Sequence, residues 1–273
     1  MRYQVYIPCD RLKPYIRQFV ISEASDEQTY KVLPDTSLVM GFQYAGKLAS
    51  VKETNTLPLA TAGITGIQTG FRIFKNAPVT GSVLVVFTET GAASFFREPI
   101  HEFLGESLSL DNFLNSSTLS SLEDQLAAAT TDQARVQLIE QFLISRLQKP
   151  KSDALVSLAI QYIYQSKGTI RMTALADALC SSQSPLEKRF RQLVGTSPKR
   201  FSSIVQMKQA IAAFSKTNSL TDISLESGYF DQAHFSNGFK TFTGLTPREF
   251  LHNLPKHLLL EKRFFTSIRT PML

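Results

Sequence analysis

One arrangement of apolar residues, glycine and proline occurs twice in the chain, and the second copy follows the first at a constant offset of 49 residues. A repeat at a fixed offset indicates a supersecondary unit that is used twice. Any fold for this chain must therefore hold two similar units in its carboxy-terminal half. The matched pairs are Leu186 and Phe235, Phe190 and Phe239, Leu193 and Phe242, Gly195 and Gly244, Pro198 and Pro247, and Phe201 and Phe250.

Each copy has the pattern of a short helix, a turn and a second helix. At about 100° per residue, Phe235, Phe239 and Phe242 fall on one side of a helix, which predicts a buried stripe. Asp231 and Ser182 precede the two second helices and are expected to cap them. This is the outline of the DNA-binding helix-turn-helix, whose second helix enters the major groove. A buried helical hairpin without a ligand shares the same outline.

Residues in both copies follow a known signature. They are Leu175-Ala176, Leu186, Arg189-Phe190, Gly195-Thr196-Ser197-Pro198-Lys199 and Phe201 in the first copy, and Ile223, Gly228-Tyr229-Phe230-Asp231-Gln232-Ala233-His234-Phe235, Phe239-Lys240, Gly244, Thr246-Pro247 and Phe250 in the second. With these residues, the stretch from Ala154 to Asn253 resembles the DNA-binding domain of the AraC/XylS family of bacterial transcription regulators. The resemblance implies seven helices, with two recognition helices entering successive major-groove segments on one face of the DNA. Cys180 departs from the family pattern, because the first turn more often has glycine there.

The faces opposite the apolar stripes carry the side chains expected to reach base edges. Asn and Gln can pair with adenine, and Lys and Arg favour guanine. Glu187 would face a polyanion, unless it accepts from cytosine or orients Arg191. The predicted base contacts are Ser184, Glu187, Lys188 and Arg191 in the first copy, and Gln232, His234, Ser236 and Asn237 in the second.

Phosphate contacts are predicted where a basic residue follows Ser-Pro or Thr-Pro, because a helix starts there with free N–H groups. Lys199 and Arg200 hold this place after the first copy, and Arg248 holds it after the second. Lys240 lies further along its helix and is a fourth candidate. Simple solvent exposure is the alternative for each of these residues.

Charge separates this half of the chain from the rest. Residues 151–273 hold 16 Lys and Arg against 8 Asp and Glu, a net charge of +8. Residues 1–150 hold 13 against 15, a net charge of −2. A basic half beside a near-neutral half fits nucleic-acid binding by one domain, so double-stranded DNA is the predicted partner.

Short apolar segments separated by glycines fill residues 1 to about 112, and this pattern predicts an antiparallel β-rich domain, a barrel or a sandwich. Residues 117–147 then predict one or two amphipathic helices. Their apolar face packs on the β-rich domain or forms a dimer seam. The apolar segments are 31–33, 37–44, 48–51, 64–67, 71–74 and 82–88.

The predicted fold class is α+β in two domains, a β-rich amino-terminal domain of barrel or sandwich type and an all-α double helix-turn-helix domain. The polar stretch around Pro150 predicts a linker between the two domains. The predicted boundaries are 1–147 for a sensor or dimerisation domain with terminal amphipathic helices, 148–153 for the linker, 154–254 for the DNA-binding domain, and 255–273 for a basic, apolar tail that is either a packed helix or a loose end.

Motifs for chemistry are not recognised. The loop 41–47 lacks the Ser or Thr that follows the lysine of a Walker A loop, and predicts a hairpin turn at 45–46 instead. The histidines lack ligand spacing, and Cys9 and Cys180 have no CxxC partner. No catalytic residue, cofactor or metal is therefore predicted. No apolar run reaches the ~18 residues of a membrane helix, and the lack of an export signal predicts a cytoplasmic protein.

The predicted function is that of a sequence-specific transcription regulator whose amino-terminal domain controls its activity. Two alternatives are a DNA-tethered enzyme with its chemistry in the amino-terminal domain, and an architectural or partner-binding protein that uses the helical half as a scaffold. Besides DNA, the candidate partners are RNA polymerase, a small-molecule effector of unknown identity and a second copy of the chain. A membrane is not expected as a partner.

Overall fold

The computed structural model of the chain describes residues 1–52, 55–148, 152–214, 219–229, 231–253 and 270–271. Strands and two helices build the amino-terminal part, and helices build the carboxy-terminal part. The predicted α+β class, with a β-rich first part and an all-α second part, is confirmed.

Antiparallel strands form two sheets in the described part of the chain. The strands are β1 (Arg2–Tyr6), β2 (Ile16–Ala24), β3 (Gln28–Val32), β4 (Val39–Ala45), β5 (Leu48–Lys52), β6 (Asn55–Pro58), β7 (Ala62–Thr65), β8 (Arg72–Asn76), β9 (Thr80–Phe87), β10 (Ser107–Ser109) and β11 (Thr270–Pro271). The first sheet has the order β1-β2-β9-β4-β7-β10, and the second has the order β11-β3-β8-β5-β6.

The first sheet has two different faces because side chains alternate along its strands. On β9, Ser82 and Leu84 line a cavity between the two sheets. Val83 and Val85 point to the opposite face and are fully buried in the hydrophobic core. The arrangement is therefore a sandwich whose two layers enclose a cavity.

Two helices, α1 (Ser116–Ala128) and α2 (Asp132–Arg146), pack on the outer face of the first sheet. Phe142 of α2 meets Phe42 of β4 edge to face, with ring centroids 5.9 Å apart. Phe142 is only 8% exposed. The apolar face of these helices thus packs within the chain, as the internal packing alternative describes.

Each of the six segments predicted as strands overlaps one of β3, β4, β5, β7, β8 and β9. Strands β1, β2, β6 and β10 were not predicted. The hairpin turn at 45–46 is confirmed, since β4 ends at Ala45 and Gly46 adopts a left-handed φ of 63°. A side chain at Gly46 would meet the backbone of Val79, so glycine suits this turn for two reasons.

The carboxy-terminal part contains seven helices among the described residues, the number that the family resemblance implies. Asp153 starts the first of them by accepting hydrogen bonds from the backbone N–H groups of Leu155 and Val156. The helices are α3 (Ala154–Gln165), α4 (Met172–Ala178), α5 (Gln183–Val194), α6 (Pro198–Ala213), α7 (Leu220–Glu226), α8 (Gln232–Thr243) and α9 (Pro247–Asn253).

The predicted tail, 255–273, lies outside the described residues except at 270–271. These two residues form β11, which pairs antiparallel with Tyr30 and Lys31 of β3. The choice between a packed helix and a loose end concerns residues that the structure does not describe.

Candidate nucleic-acid interface

Two helix-turn-helix units are present, the first formed by α4 and α5 (172–194) and the second by α7 and α8 (220–243). In each unit the residue after the C-cap of the first helix has a left-handed backbone, Cys180 at φ 48° and Gly228 at φ 74°. The chain then needs two residues to reach the N-cap of α5, Ser182, and three to reach that of α8, Asp231. Cys180 therefore adopts the conformation that glycine favours, and the first turn is one residue shorter.

The two N-caps differ. The Asp231 carboxylate accepts a hydrogen bond from the backbone N–H of His234 at 2.6 Å, as predicted. Ser182 occupies the N-cap position of α5, but its side chain makes no capping hydrogen bond. The prediction that both second helices are capped by these side chains is therefore wrong for Ser182, whose hydroxyl does not reach the free N–H groups of the first turn.

A stripe of phenylalanines holds α8 against its unit. Phe235 and Phe239 are fully buried and Phe242 is 6% exposed, so the predicted stripe is confirmed. Phe239 also packs against Phe214 and Phe250, with ring centroids 5.2 Å and 5.1 Å away. These rings fix which side of α8 faces outward.

A mixed stripe holds α5 in the same way. Leu186 and Phe190 are buried, and Phe190 meets Phe201 of α6 with ring centroids 5.4 Å apart. Leu193, which matches Phe242 in the repeat, is half-buried and packs against the core, and its neighbour Val194 is fully buried. The last turn of α5 therefore directs both residues towards the core.

The outward faces of α5 and α8 carry the predicted base-contact side chains. Most are exposed, and Ser236 is half-buried. Glu187 and Arg191 lie one helical turn apart with an N–O distance of 3.6 Å, so Glu187 is placed to orient Arg191. The exposed candidates are Ser184, Glu187, Lys188 and Arg191 on α5, and Gln232, His234 and Asn237 on α8.

The predicted phosphate sites at the starts of α6 and α9 are not equivalent. Lys199 and Arg200 are exposed at the start of α6, where Ser197 accepts a hydrogen bond from the N–H of Arg200. Arg248 is exposed at the start of α9. There, however, the Glu249 carboxylate accepts from the N–H of Thr246 at 2.7 Å, which completes a capping box.

The Glu249 carboxylate therefore lies where a phosphate would be expected after the second unit. Hydrogen bonding from the backbone of Thr246 lowers the pKa of Glu249, so this carboxylate is ionised at neutral pH. The fourth phosphate candidate, Lys240, is exposed towards the end of α8. Sequence reasoning missed the capping box, although Thr246 and Glu249 have the spacing that signals one.

The helical part also contacts the β-rich part, through residues that the sequence did not identify. Lys208 of α6 donates to the Asp35 carboxylate at 2.7 Å. Tyr164 of α3 donates to the Glu89 carboxylate at 2.6 Å and lies 3.0 Å from the Thr36 hydroxyl. The two parts are therefore joined by polar contacts, of which the pair between Lys208 and Asp35 is partly buried.

The cavity between the two sheets encloses about 490 Å³ and is lined mainly by apolar side chains. Of the described residues that line it, Asp35 and Arg72 carry charge. Asp35 is paired with Lys208, whereas no described carboxylate lies within ion-pair distance of Arg72. The Arg72 guanidinium donates to the Ser107 hydroxyl at 3.1 Å and to the Gly105 carbonyl, and burial lowers its pKa.

Metal and membrane sites receive no support from the described residues. They contain no group of three or more His, Cys, Asp or Glu side chains able to hold a metal ion. Over the same residues, no helix is both long and apolar enough to cross a membrane. The cysteines Cys9 and Cys180 are both free.

Family models match both parts of the chain. A model described as a helix-turn-helix domain matches residues 175–253, which span both units and α9. A model described as a domain of unknown function, DUF6597, matches residues 4–109, which span β1 to β10.

Among curated proteins, the chain is similar to the arabinose operon regulatory protein of Escherichia coli, with 31% identity over 124 residues and 42% of each chain covered. It is also similar to the Msm operon regulatory protein of Streptococcus mutans, with 28% identity over 153 residues and 55% of each chain covered. The chain thus spans about half the length of these relatives, both of which are named as regulators.

Among solved structures, ToxT from Vibrio cholerae is 12% identical, with a TM-score of 0.46 over 92% of this chain and 98% of that one. The C-terminal domain of AraT from Geobacillus stearothermophilus is 24% identical, with a TM-score of 0.36 over 38% of this chain and 89% of that one.

Proposed function

We propose that this chain, whose carboxy-terminal region is a helix-turn-helix domain of the AraC type, is a sequence-specific DNA-binding transcription regulator. In this proposal α5 and α8 enter successive major-groove segments on one face of the duplex. One observation carries the proposal. Both helices present an exposed polar face backed by a buried apolar stripe, on a half of the chain with a net charge of +8.

Base reading is assigned to the exposed side chains of the two helices. On α8, the amides of Gln232 and Asn237 suit adenine, which offers one donor and one acceptor in the major groove. On α5, Lys188 and Arg191 suit guanine, which offers two acceptors. Glu187 supports this assignment by steadying the Arg191 guanidinium. The remaining base contacts in the proposal are Ser184, His234 and Ser236.

Backbone contacts are assigned to the basic residues around the two units. Lys199 and Arg200 are exposed at the positive end of α6, where their charged side chains favour a phosphate although Ser197 already accepts from the N–H of Arg200. The further candidates are Lys240, near the end of α8, and Arg248, after the second unit. The Glu249 carboxylate beside Arg248 weakens the contact between Arg248 and a phosphate, because the carboxylate and the phosphate are both negative and repel each other.

The β-rich part is assigned the sensing role, with the cavity between its sheets as the effector site. A volume of about 490 Å³ is within the range of small-molecule pockets, and its lining is mainly apolar with a few polar groups. Because Arg72 has no carboxylate partner among the described residues, the effector is expected to carry an acidic group. RNA polymerase and a second copy of the chain remain predictions from the sequence.

The test is selection of binding sites by the full chain from a random duplex library, followed by binding at several salt concentrations. We expect an enriched site with two elements about one helical turn apart, and affinity that falls as salt rises. The double variant Gln232→Ala, Asn237→Ala should lose the preference for one element. Gln161→Ala, on an exposed position of α3, is the matched control. Recovery of no enriched sequence would contradict the proposal.

A further inference from the structure

We propose that occupancy of the cavity between the two sheets is transmitted to the second helix-turn-helix unit and not to the first, through Asp35 and the wall formed by β3 and β8. This inference rests on the proposed function, because it assigns a regulatory route to the proposed effector site. The route follows from which parts of the cavity wall touch each unit.

The first contact in the route is the ion pair between Asp35 and Lys208. Asp35 lines the cavity, and its Oδ1 atom accepts from the Lys208 ammonium at 2.7 Å. The side chains are 12% and 25% exposed, respectively, so water screens the pair only partly. A displacement of the loop that carries Asp35 therefore acts directly on α6.

The part of α6 that carries Lys208 supports the second unit. Gln206 donates to the carbonyl of Ser227, which ends α7, at 2.8 Å. Met207 lies against α8 at Gly238, where a β-carbon added to the glycine would be 3.5 Å from the terminal methyl group of Met207. Asp35 is thus joined through a single turn of α6 to both helices of the second unit.

The second contact in the route is between the cavity wall and the end of α8. Phe71 directly precedes Arg72, which lines the cavity from β8. The ring of Phe71 lies against Gly244, the left-handed C-cap of α8, so closely that a β-carbon there would be 2.6 Å from the ring. Lys31 of β3 stands over the same ring at 4.8 Å. A change in the β3–β8 wall therefore reaches the recognition helix itself.

The first unit rests on a different part of the β-rich half. The C-cap of α5, Gly195, packs on Ile100, so that a β-carbon added to this glycine would be 2.8 Å from the Ile100 side chain. Ile100 is 1% exposed, belongs to the hydrophobic core and does not line the cavity. One competing route exists, since Tyr164 of α3 contacts Thr36 beside Asp35, and the experiment must separate it.

The physical basis of the coupling is ordering of the wall. A side chain or ligand that fills the cavity packs against β3 and β8 and reduces their motion. The contact of Asp35, on the loop after β3, with Lys208 and the contact of the wall with Gly244 then open less often. Local opening governs amide hydrogen exchange, so exchange should slow in α8 and remain unchanged in α5.

The experiment uses Leu84→Trp in the full chain. Leu84 lines the cavity from β9, and the chain contains no tryptophan, so the fluorescence of the introduced indole reports on this site alone. Blue-shifted emission shows that the cavity is filled. Hydrogen exchange measured by mass spectrometry should then be about tenfold slower in α8, a gain of about 1.4 kcal/mol in local stability, with α5 unchanged.

Two second-site variants separate the routes. Lys208→Met in the Leu84→Trp background should abolish most of the slowing in α8. Tyr164→Phe, which removes the hydroxyl that contacts Thr36 and Glu89, should leave the slowing in place. Equal slowing in α5 and α8, or full slowing in the presence of Lys208→Met, would overturn the inference.

A dye covers the case in which Leu84→Trp does not fold. Anilinonaphthalene sulfonate has apolar aromatic rings, which suit the cavity, and an anionic sulfonate group, which suits Arg72. The same exchange measurement is made on the wild-type chain with the dye bound. If the dye binds but hydrogen exchange in α8 is unchanged, the route is overturned and the proposed effector site is retained. If the dye does not bind, both the effector site and the route are overturned, while DNA binding is judged separately by site selection.

Discussion

In the second helix-turn-helix unit, Phe239 packs against the rings of Phe235, Phe214 and Phe250, whereas Phe190 at the same place in the first unit packs against the ring of Phe201. The two units share a backbone plan and support it by different means. The second relies on aromatic packing and a side-chain cap. The first relies on a mixed aliphatic and aromatic stripe and lacks a side-chain cap at the start of α5.

The outward faces of the two units differ as well. That of α5 carries Lys188 and Arg191, and the start of α6, whose first turn holds no acidic residue, follows it with two further basic residues. That of α8 carries uncharged Gln232 and Asn237, and a carboxylate caps the helix that follows. Under the proposed function, the first unit therefore supplies most of the salt-dependent affinity, and the second supplies discrimination between bases.

The largest expected effect comes from the two equivalent phenylalanines. Phe239→Ala and Phe190→Ala should each lower the free energy of unfolding by about 3–5 kcal/mol, since each removes a fully buried ring. Phe239→Ala should lie at the upper end because more rings surround it, and it should abolish binding to every DNA sequence. Urea unfolding followed by circular dichroism measures the free energy of unfolding of both variants. A larger loss for Phe190→Ala would contradict the aromatic account of the second unit.

The next effect separates discrimination from affinity. Asn237→Ala should weaken binding at the selected site by about 1–3 kcal/mol and relax the preference at one or two base pairs, with non-specific affinity nearly unchanged. Arg191→Ala should weaken specific and non-specific binding together, because its charge also attracts phosphates. Competition binding with selected and scrambled duplexes measures both quantities. If Asn237→Ala lost non-specific affinity and Arg191→Ala did not, the second unit and not the first would supply the salt-dependent affinity.

The caps should differ by about 1 kcal/mol. Asp231→Ala should lower the free energy of unfolding by roughly that amount, since the carboxylate satisfies an N–H group of the first turn and lies at the positive end of α8. Ser182→Ala should have almost no effect, because its hydroxyl makes no capping bond. Thermal unfolding at neutral pH compares the two, and equal losses would show that Ser182 caps α5 after all.

The smallest effects concern phosphate contacts. Arg200→Ala should flatten the dependence of log affinity on log salt by about one, and Arg248→Ala by less, because Glu249 already occupies the start of α9. Glu249→Gln keeps a side chain that can accept from the Thr246 N–H and should raise affinity. A full unit of slope lost in Arg248→Ala would show that the carboxylate moves aside when DNA binds.

Much of the helical half could be predicted because its signals are local. The 3.6-residue period identified the stripe of α8, and Asp231 identified its N-cap. The repeat matches Leu193 to Phe242, but it does not show that the adjacent Val194 is the more deeply buried of the two, because both residues are apolar. The conformation of the Ser182 side chain depends on packing around the first turn, which a residue pattern does not contain.

The contacts between the two halves could not be predicted. Asp35 and Lys208 are 173 residues apart, and either one alone resembles an ordinary surface charge. The cavity is equally hidden, because its lining comes from alternate residues of strands in both sheets. Arg72 gains its importance from its place in the cavity wall and from the lack of an ion-pair partner among the described residues, both of which are properties of the folded chain.

Helix α6 serves both units, since Phe201 packs on the first and Met207 on the second. Its 16 residues span about 24 Å. One residue added within α6 would turn the second recognition helix by about 100° and advance it by 1.5 Å relative to the first. Successive major-groove segments of a DNA duplex have a fixed separation and rotation. The two recognition helices can therefore enter both segments only when their own separation and rotation match these values. Under the proposed function, the length of this single helix therefore sets the distance between the two elements of a binding site, and the accepted sites should vary in their bases far more than in their spacing.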